Sequence, residues 1–216
     1  VGSEMCIRDS RFTEDDIAYL KSLNLFDDGF LLRLSNMRFT GEIFGMPEGT
    51  IVFPHEPLIR VRAPMIEAQL IETAILNLVN HQTLIATKAN RVCYAAKGGS
   101  VLEFGLRRAQ GPDAGIYGAR AAIVGGCTAT SNVLSGQLFD IPVKGTHAHS
   151  WVMSFNNELE AFRAYADVFP DSCMLLVDTY DTLKSGVPNA IKVFDELSAK
   201  GYAPVGIRLD SGDLAY

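Results

Sequence analysis

The chain has 216 residues, 48% of them hydrophobic and 20% charged, and a formal net charge of −6, which suits one globular domain or one and a half with a sizeable core. The acidic balance and the lack of a Lys/Arg-rich run argue against a nucleic-acid surface. Cys6, Cys93, Cys127 and Cys173 form no Cys-x-x-Cys pair, and with no membrane-length apolar run and no signal-peptide pattern the composition predicts a cytoplasmic protein with reduced thiols.

Residues 1–10 fit no downstream pattern and read as a non-native leader, and residues 11–99 read as an α+β region. Thr13 to Leu23 predicts a short Thr-capped helix and Phe30 to Met37 a second. From Gly41 to Val61, apolar residues alternate with turn signals, Met46-Pro47-Glu48-Gly49 and Phe53-Pro54-His55-Glu56-Pro57, which predicts short antiparallel strands. Pro64 opens a helical region to about Lys97, with a break near Asn80-His81 and with Ile66, Leu70, Ala74 and Leu78 on one face. Gly98-Gly99 ends it. His55 and His81 lack acidic or cysteine neighbours at ligand spacing and read as loop or capping residues.

From residue 100 to 216 the pattern alternates. Strands are predicted at Val101–Phe104, weakly near Cys127–Thr130, and at Val143–Ala148, Cys173–Val177 and Val205–Leu209. Helices are predicted at Pro112–Val124, Ser131–Leu138, Ser150–Val168 and Pro188–Lys200, the last with Val187, Ile191, Phe194 and Leu197 at helical spacing. Short connections of this kind call for parallel strands in right-handed crossovers. The fold class is therefore α/β, an N-terminal α+β part packed on an irregular, incomplete (β/α) barrel. The strand and polar loop from Gly206 to Asp213 are no natural stopping point for such a domain, so the barrel is expected to be truncated at its C-terminus.

Polar groups follow the strands. Arg107-Arg108 comes after the first, and Gly145-Thr146-His147-Ala148-His149-Ser150-Trp151 passes from the third into a helix. Asp178-Thr179-Tyr180-Asp181 follows the fourth, and Arg208-Leu209-Asp210-Ser211-Gly212-Asp213 closes the fifth. Parallel strands bring their C-terminal ends to one rim, where these groups should converge. On an extended segment His147 and His149 share a face; a histidine that merely caps the next helix is the plain alternative. Carboxylates at such a rim suit a Mg²⁺ that keeps its waters and holds a pyrophosphate. Arginines there suit phosphate or carboxylate. Each aspartate taken singly reads equally well as a helix cap or turn residue.

Several stretches carry a family resemblance. Glu103-Phe104-Gly105-Leu106-Arg107-Arg108-Ala109-Gln110-Gly111-Pro112-Asp113, Gly145 to Ser150 and Gly206 to Asp213 resemble nicotinate phosphoribosyltransferases, with support from Ser131 to Gly136 and Leu176 to Asp181. The resemblance implies transfer of phosphoribose from 5-phosphoribosyl 1-pyrophosphate to nicotinate, giving nicotinate mononucleotide and pyrophosphate. It also implies coupling to ATP hydrolysis through a phosphohistidine, which it places at His149, and a homodimer. Asp178 and Asp210 join His149 as catalytic residues that hold ribose hydroxyls or the Mg²⁺–pyrophosphate, with Asp181 a third acid beside the metal. Arg208 contacts the nicotinate ring or carboxylate, and Arg107 the sugar phosphate or nicotinate. Phe104 stacks on the pyridine ring, and Asn132, Ser211 and Gly212 complete the substrate contacts. Relatives acting on nicotinamide place an acidic residue in the stretch Thr130 to Asn132; here it is neutral, which favours the acid over the amide.

The resemblance also implies an N-terminal stacking tyrosine before Phe12 and 5′-phosphate loops after Tyr216, so turnover is not expected of this stretch alone. Two other readings stay open. A metal-dependent barrel hydrolase also uses a His-x-His at a strand end, as His147/His149 provides, although His55 and His81 are poorly placed to complete it. A non-catalytic phosphate-binding remnant is the other.

Overall fold

The computed structural model describes residues 11–214; the leader expected over 1–10 lies outside the described residues. Helix α1 (Glu14–Ser22) begins in a capping box, in which the Asp16 N–H donates to Thr13 Oγ1 at 3.2 Å and the Thr13 N–H donates to Asp16 Oδ2 at 2.8 Å. Two orphan donors of the first turn are thereby satisfied. Helix α2 (Asp28–Ser35) is capped by Asp27, which accepts from the Phe30 N–H, and buries Leu31 and Leu34. Strands β1 (Glu42–Gly45) and β2 (Ile59–Arg62) pair antiparallel, with Ile43 opposite Val61.

Helix α3 (Met65–Ala95) runs 31 residues without the break expected at Asn80-His81. His81 is absorbed in the helix, its Nε2 3.2 Å from the Ala114 carbonyl oxygen. The buried stripe is Glu67, Ile71, Ile75 and Ala89, not Ile66, Leu70, Ala74 and Leu78. The hairpin decides this phase: Ile71 and Ile75 pack on Phe39, Ile43, Ile59 and Val61. The buried Glu67 carboxylate accepts from the Thr40 N–H (2.7 Å) and hydroxyl (3.0 Å), tying the approach to β1 onto α3.

Beyond α3, β3 (Leu102–Glu103) is followed by a single tight turn (Leu106–Arg108) and then α4 (Pro112–Val124), which has Pro at its first position, as a helix start tolerates. Strand β4 (Ala129–Thr130) pairs parallel to β3 and leads into α5 (Val133–Phe139). The strand expected over Val143–Ala148 reduces to one parallel bridge, Val143 to Thr130. Helices α3 and α4 pack closely because Gly125, just after α4, carries no side chain; a Cβ there would run into the Ala86 carbonyl oxygen and Ala89.

The chain forms two compact units, dividing between Val143 and Lys144. The change of pattern at 99/100 is therefore not where the contacts divide, because α3 before it and α4 after it share the core of Ala89, Ala122 and Cys127. The second unit holds α6 (His149–Met153), α7 (Glu158–Val168), β5 (Met174–Leu176), α8 (Val187–Ala199) and β6 (Gly206–Arg208). The continuous helix expected over Ser150–Val168 is two helices, since Asn157 restarts the chain by accepting from the Glu160 N–H at 3.0 Å. Strands β5 and β6 are parallel, with Leu175 opposite Ile207. Their core of Val152, Ala161, Phe162, Leu175, Val177 and Val193 is almost fully excluded from water. Helix α8 buries Ala190, Val193 and Leu197, while Ile191 of the expected stripe faces outward. Parallel β/α pieces together with an α+β part, and no closed barrel among the described residues, make the α/β class with an incomplete barrel.

Candidate active site

In the second unit the ends of β5 and β6 meet at one side chain. Asp178, two residues beyond β5, has a side chain only 4% exposed. Its Oδ1 lies 3.1 Å from His149 Nε2. Its Oδ2 accepts from the Asp210 N–H (2.6 Å), the Ser211 N–H (2.7 Å) and the Ser211 hydroxyl (2.7 Å). Burial alone would raise the Asp178 pKa, but these donors together outweigh it and hold the carboxyl at about 2. An ionised carboxylate only accepts, so the proton between the two groups sits on His149 Nε2.

His149 opens α6, and its side chain is about one-third exposed. Arg208, the last residue of β6, is fixed from two sides: one guanidinium nitrogen donates to Thr146 Oγ1 and another to Asp210 Oδ1 at 2.7 Å. A cation, an imidazole and an ionised acid therefore share one edge of β5–β6. Thr146 was not among the expected site residues, although its place in Gly145-Thr146-His147 was the available signal. Ser211, expected to touch substrate, spends both its hydroxyl and its N–H on Asp178. Gly212 follows with φ +84°, a backbone shape that favours glycine.

The acidic trio is not brought together as metal ligands. Asp181 caps the wide turn Thr182–Gly186, its Oδ1 accepting from the Leu183 (3.1 Å) and Lys184 (2.9 Å) N–H groups. Among the described residues, no group of three His, Cys, Asp or Glu side chains is placed to hold a metal ion. With Asp178 committed to four donors and Asp210 Oδ1 engaged by Arg208, the site can offer a cation no more than a lone carboxylate oxygen. That donor set fits a Mg²⁺ that arrives on a pyrophosphate and keeps its waters, and does not fit a protein-built cage.

His147 and His149 have different partners. His147 is 8% exposed, its ring edge-on to Tyr165 with centroids 4.7 Å apart, and its Nε2 accepts from the Leu176 N–H at 3.1 Å. The lone pair that a metal would need is already in use, so the His-x-His of a metal hydrolase is not formed here. The chain turns into α6 at His149.

In the first unit, the Glu103 carboxylate accepts from the Thr130 hydroxyl (2.6 Å) and the Gly105 N–H, and Thr130 Oγ1 accepts from the Asn132 N–H at 3.0 Å. Asn132 is buried and caps α5 by accepting from the Ser135 N–H; its side-chain NH₂ has no hydrogen-bond partner. Phe104 is 37% exposed just past β3, and Arg107 lies exposed on the tight turn that follows. Glu103 organises this strand end, a role that a lone acid at the end of an apolar strand signals in the sequence.

A family profile described as the nicotinate phosphoribosyltransferase N-terminal domain matches residues 5–80, and one described as the nicotinate phosphoribosyltransferase (NAPRTase) family matches residues 100–216. The chain is 51% identical over 206 residues to a nicotinate phosphoribosyltransferase of Bacillus subtilis (strain 168), covering 95% of this chain and 42% of that protein. It is 47% identical over 204 residues to nicotinate phosphoribosyltransferase pncB2 of Mycobacterium tuberculosis (strain ATCC 25618 / H37Rv), covering 94% and 43%. The chain spans less than half the length of these curated relatives. The crystal structure of human nicotinic acid phosphoribosyltransferase superposes with a TM-score of 0.89 at 35% identity, over 97% of this chain and 52% of that one. A nicotinate-nucleotide pyrophosphorylase from Pyrococcus furiosus gives 0.72 at 29% identity, over 81% and 43%. With profiles covering both halves of the sequence and a close structural match along almost all of it, the chain belongs to the nicotinate phosphoribosyltransferase family.

Proposed function

We propose that an enzyme carrying this sequence joins nicotinate to 5-phosphoribosyl 1-pyrophosphate, releasing nicotinate mononucleotide and pyrophosphate, and couples the step to ATP through a phosphohistidine at His149. The observation that carries this reading is the His149–Asp178 pair, in which an acid held ionised engages Nε2 and leaves Nδ1 as the nucleophile. Nδ1 attacks the γ-phosphorus of ATP; the Nδ1–P bond forms as the bond to the β-phosphate oxygen breaks, and ADP leaves. Asp178 stabilises the positive charge that grows on the ring.

Arg208, steadied by Thr146 and Asp210, offers a planar fork to the nicotinate carboxylate. In the first unit, Phe104 supplies a stacking face, Arg107 a phosphate or carboxylate contact, and the Asn132 NH₂ a donor for an incoming acceptor. Ser211 and Gly212 form the loop against the ribose phosphate. Mg²⁺ would supply charge neutralisation of the departing pyrophosphate, held at Asp210 with Asp178 behind it. We place the enzyme in the cytoplasm as a homodimer; no helix among the described residues is long and apolar enough to cross a membrane.

The test is incubation of the full-length enzyme with γ-labelled ATP. An acid-labile, alkali-stable label is expected, absent in His149→Ala, which keeps a slow ATP-independent condensation. A label that survives His149→Ala would overturn the assignment.

A further inference from the structure

We propose that His147 is a positioning residue for the His149–Asp178 pair: its ring takes the place of a strand backbone beside β5 and so sets the register in which His149 meets Asp178. This rests on the reading of His149 given above. Backbone N–H groups alternate sides along a strand. The Val177 N–H points to β6 and donates to the Arg208 carbonyl at 3.2 Å, so the Leu176 N–H points the other way. Leu176 is almost fully buried, and on that side no strand among the described residues pairs with β5, the segment after Val143 making no ladder there. His147 Nε2 fills the gap at 3.1 Å.

Two residues further along each segment, His149 Nε2 meets Asp178 Oδ1, also at 3.1 Å. The two contacts span the same 29 residues of sequence and act as successive rungs of a ladder built from side chains. The first rung is rigid. The His147 ring is clamped edge-on to Tyr165 and lies tilted at 46° to Phe162, and an amide can only donate, so Nε2 must keep its lone pair. Burial favours that neutral form by lowering the pKa, against the smaller opposing pull of the Ala148 backbone. The same residue also reaches Arg208, since the His147 carbonyl accepts from the Thr146 hydroxyl that receives the guanidinium.

An apolar residue would fill the volume of His147 but leave the Leu176 N–H unpaired, whereas Gln places a neutral acceptor near the position of Nε2. We compare His147→Leu and His147→Gln in the full-length enzyme by amide hydrogen exchange and by the rate of labelling from γ-labelled ATP. His147→Leu should speed exchange of the Leu176, Asp210 and Ser211 amides and leave those of α8 unchanged. It should slow labelling by about tenfold or more, the cost of a displaced reacting group, at an unaltered KM for ATP. His147→Gln should restore both properties. If His147→Leu does not fold, His147→Asn, whose acceptor stops short of Leu176, replaces it. Equal behaviour of the Leu (or Asn) and Gln variants overturns the proposal, as does a Leu variant whose Asp210 and Ser211 amides exchange as in the wild type. Absence of any label in the wild-type enzyme removes the phosphohistidine reading alone, and the exchange data then decide the role of His147.

Discussion

Asp178→Asn keeps the shape of the side chain at the meeting point of β5 and β6 and removes its charge. In the wild type the carboxyl is held at about 2 against an ordinary 3.8; burial works against this, and the donors from Asp210, Ser211 and His149 prevail. At about 1.4 kcal/mol per pH unit, that difference corresponds to about 2.5 kcal/mol, which solvent screening around the exposed partners Asp210 and Ser211 trims to about 1–2 kcal/mol. The sign follows from the direction of the shift. A depressed carboxylate pKa contributes fully above the unfolded value, and the contribution is lost as pH falls through the folded value. Urea unfolding at pH 7 should therefore show Asp178→Asn less stable by about 1–2 kcal/mol, and the gap should close as pH falls from about 4 to about 2, where the wild type protonates too. Asn still presents one oxygen to the Asp210 and Ser211 donors, so the variant should fold. A gap that is the same at pH 2.5 and pH 7 would refute the assignment of the stabilisation to this charge.

Arg208→Ala in the full-length enzyme should weaken nicotinate by about 2–3 kcal/mol, the worth of a charge-assisted contact, and 5-phosphoribosyl 1-pyrophosphate far less; equal weakening of both in binding titrations would assign Arg208 to phosphate. Phe162→Ala empties the centre of the second unit, where the ring is wholly buried, and should cost about 3–5 kcal/mol in urea unfolding; a loss below about 1 kcal/mol would mean the cavity collapses freely. Gly186→Ala sets a methyl against the Val177 carbonyl oxygen and should cost about 1–3 kcal/mol as the wide turn is displaced. Because Val177 precedes Asp178, slower labelling of His149 should accompany that loss, and normal labelling would show that the turn moves without the strand end.

Elements whose signals are local were legible in the sequence. Thr13 with Asp16, Pro112 at a helix start, and the apolar spacing of α8 each act within one turn, so the residues that define the element also stabilise it. The pairing of Asp178 with the loop after β6 was legible only as convergence at a rim, because the partners are 32 and 33 residues away and two of the donors are main-chain groups with no residue signature. The sequence offers Asp181 both as a ligand and as a cap, and its Oδ1 takes the cap role by accepting from the Leu183 and Lys184 N–H groups, a choice that only their positions decide. The strand drawn over Val143–Ala148 failed because a side chain, that of His147, does the work of the missing backbone. The division of the Ser150–Val168 helix, by contrast, was written locally: Asn157 followed three residues later by Glu160 is a cap signature, and the apolar periodicity on either side masked it.

The latch on Asp178 has a consequence for how this loop drifts. Two of its three contacts beyond His149 are peptide N–H groups, which every amino acid except proline supplies. Side chains at 210 and 211 are therefore free to vary, as far as the acid is concerned, at the expense of one hydroxyl contact. Proline at either position deletes a donor outright. Among homologous sequences position 211 should thus accept many side chains and exclude proline, whereas position 210, whose side chain also holds Arg208, should vary far less.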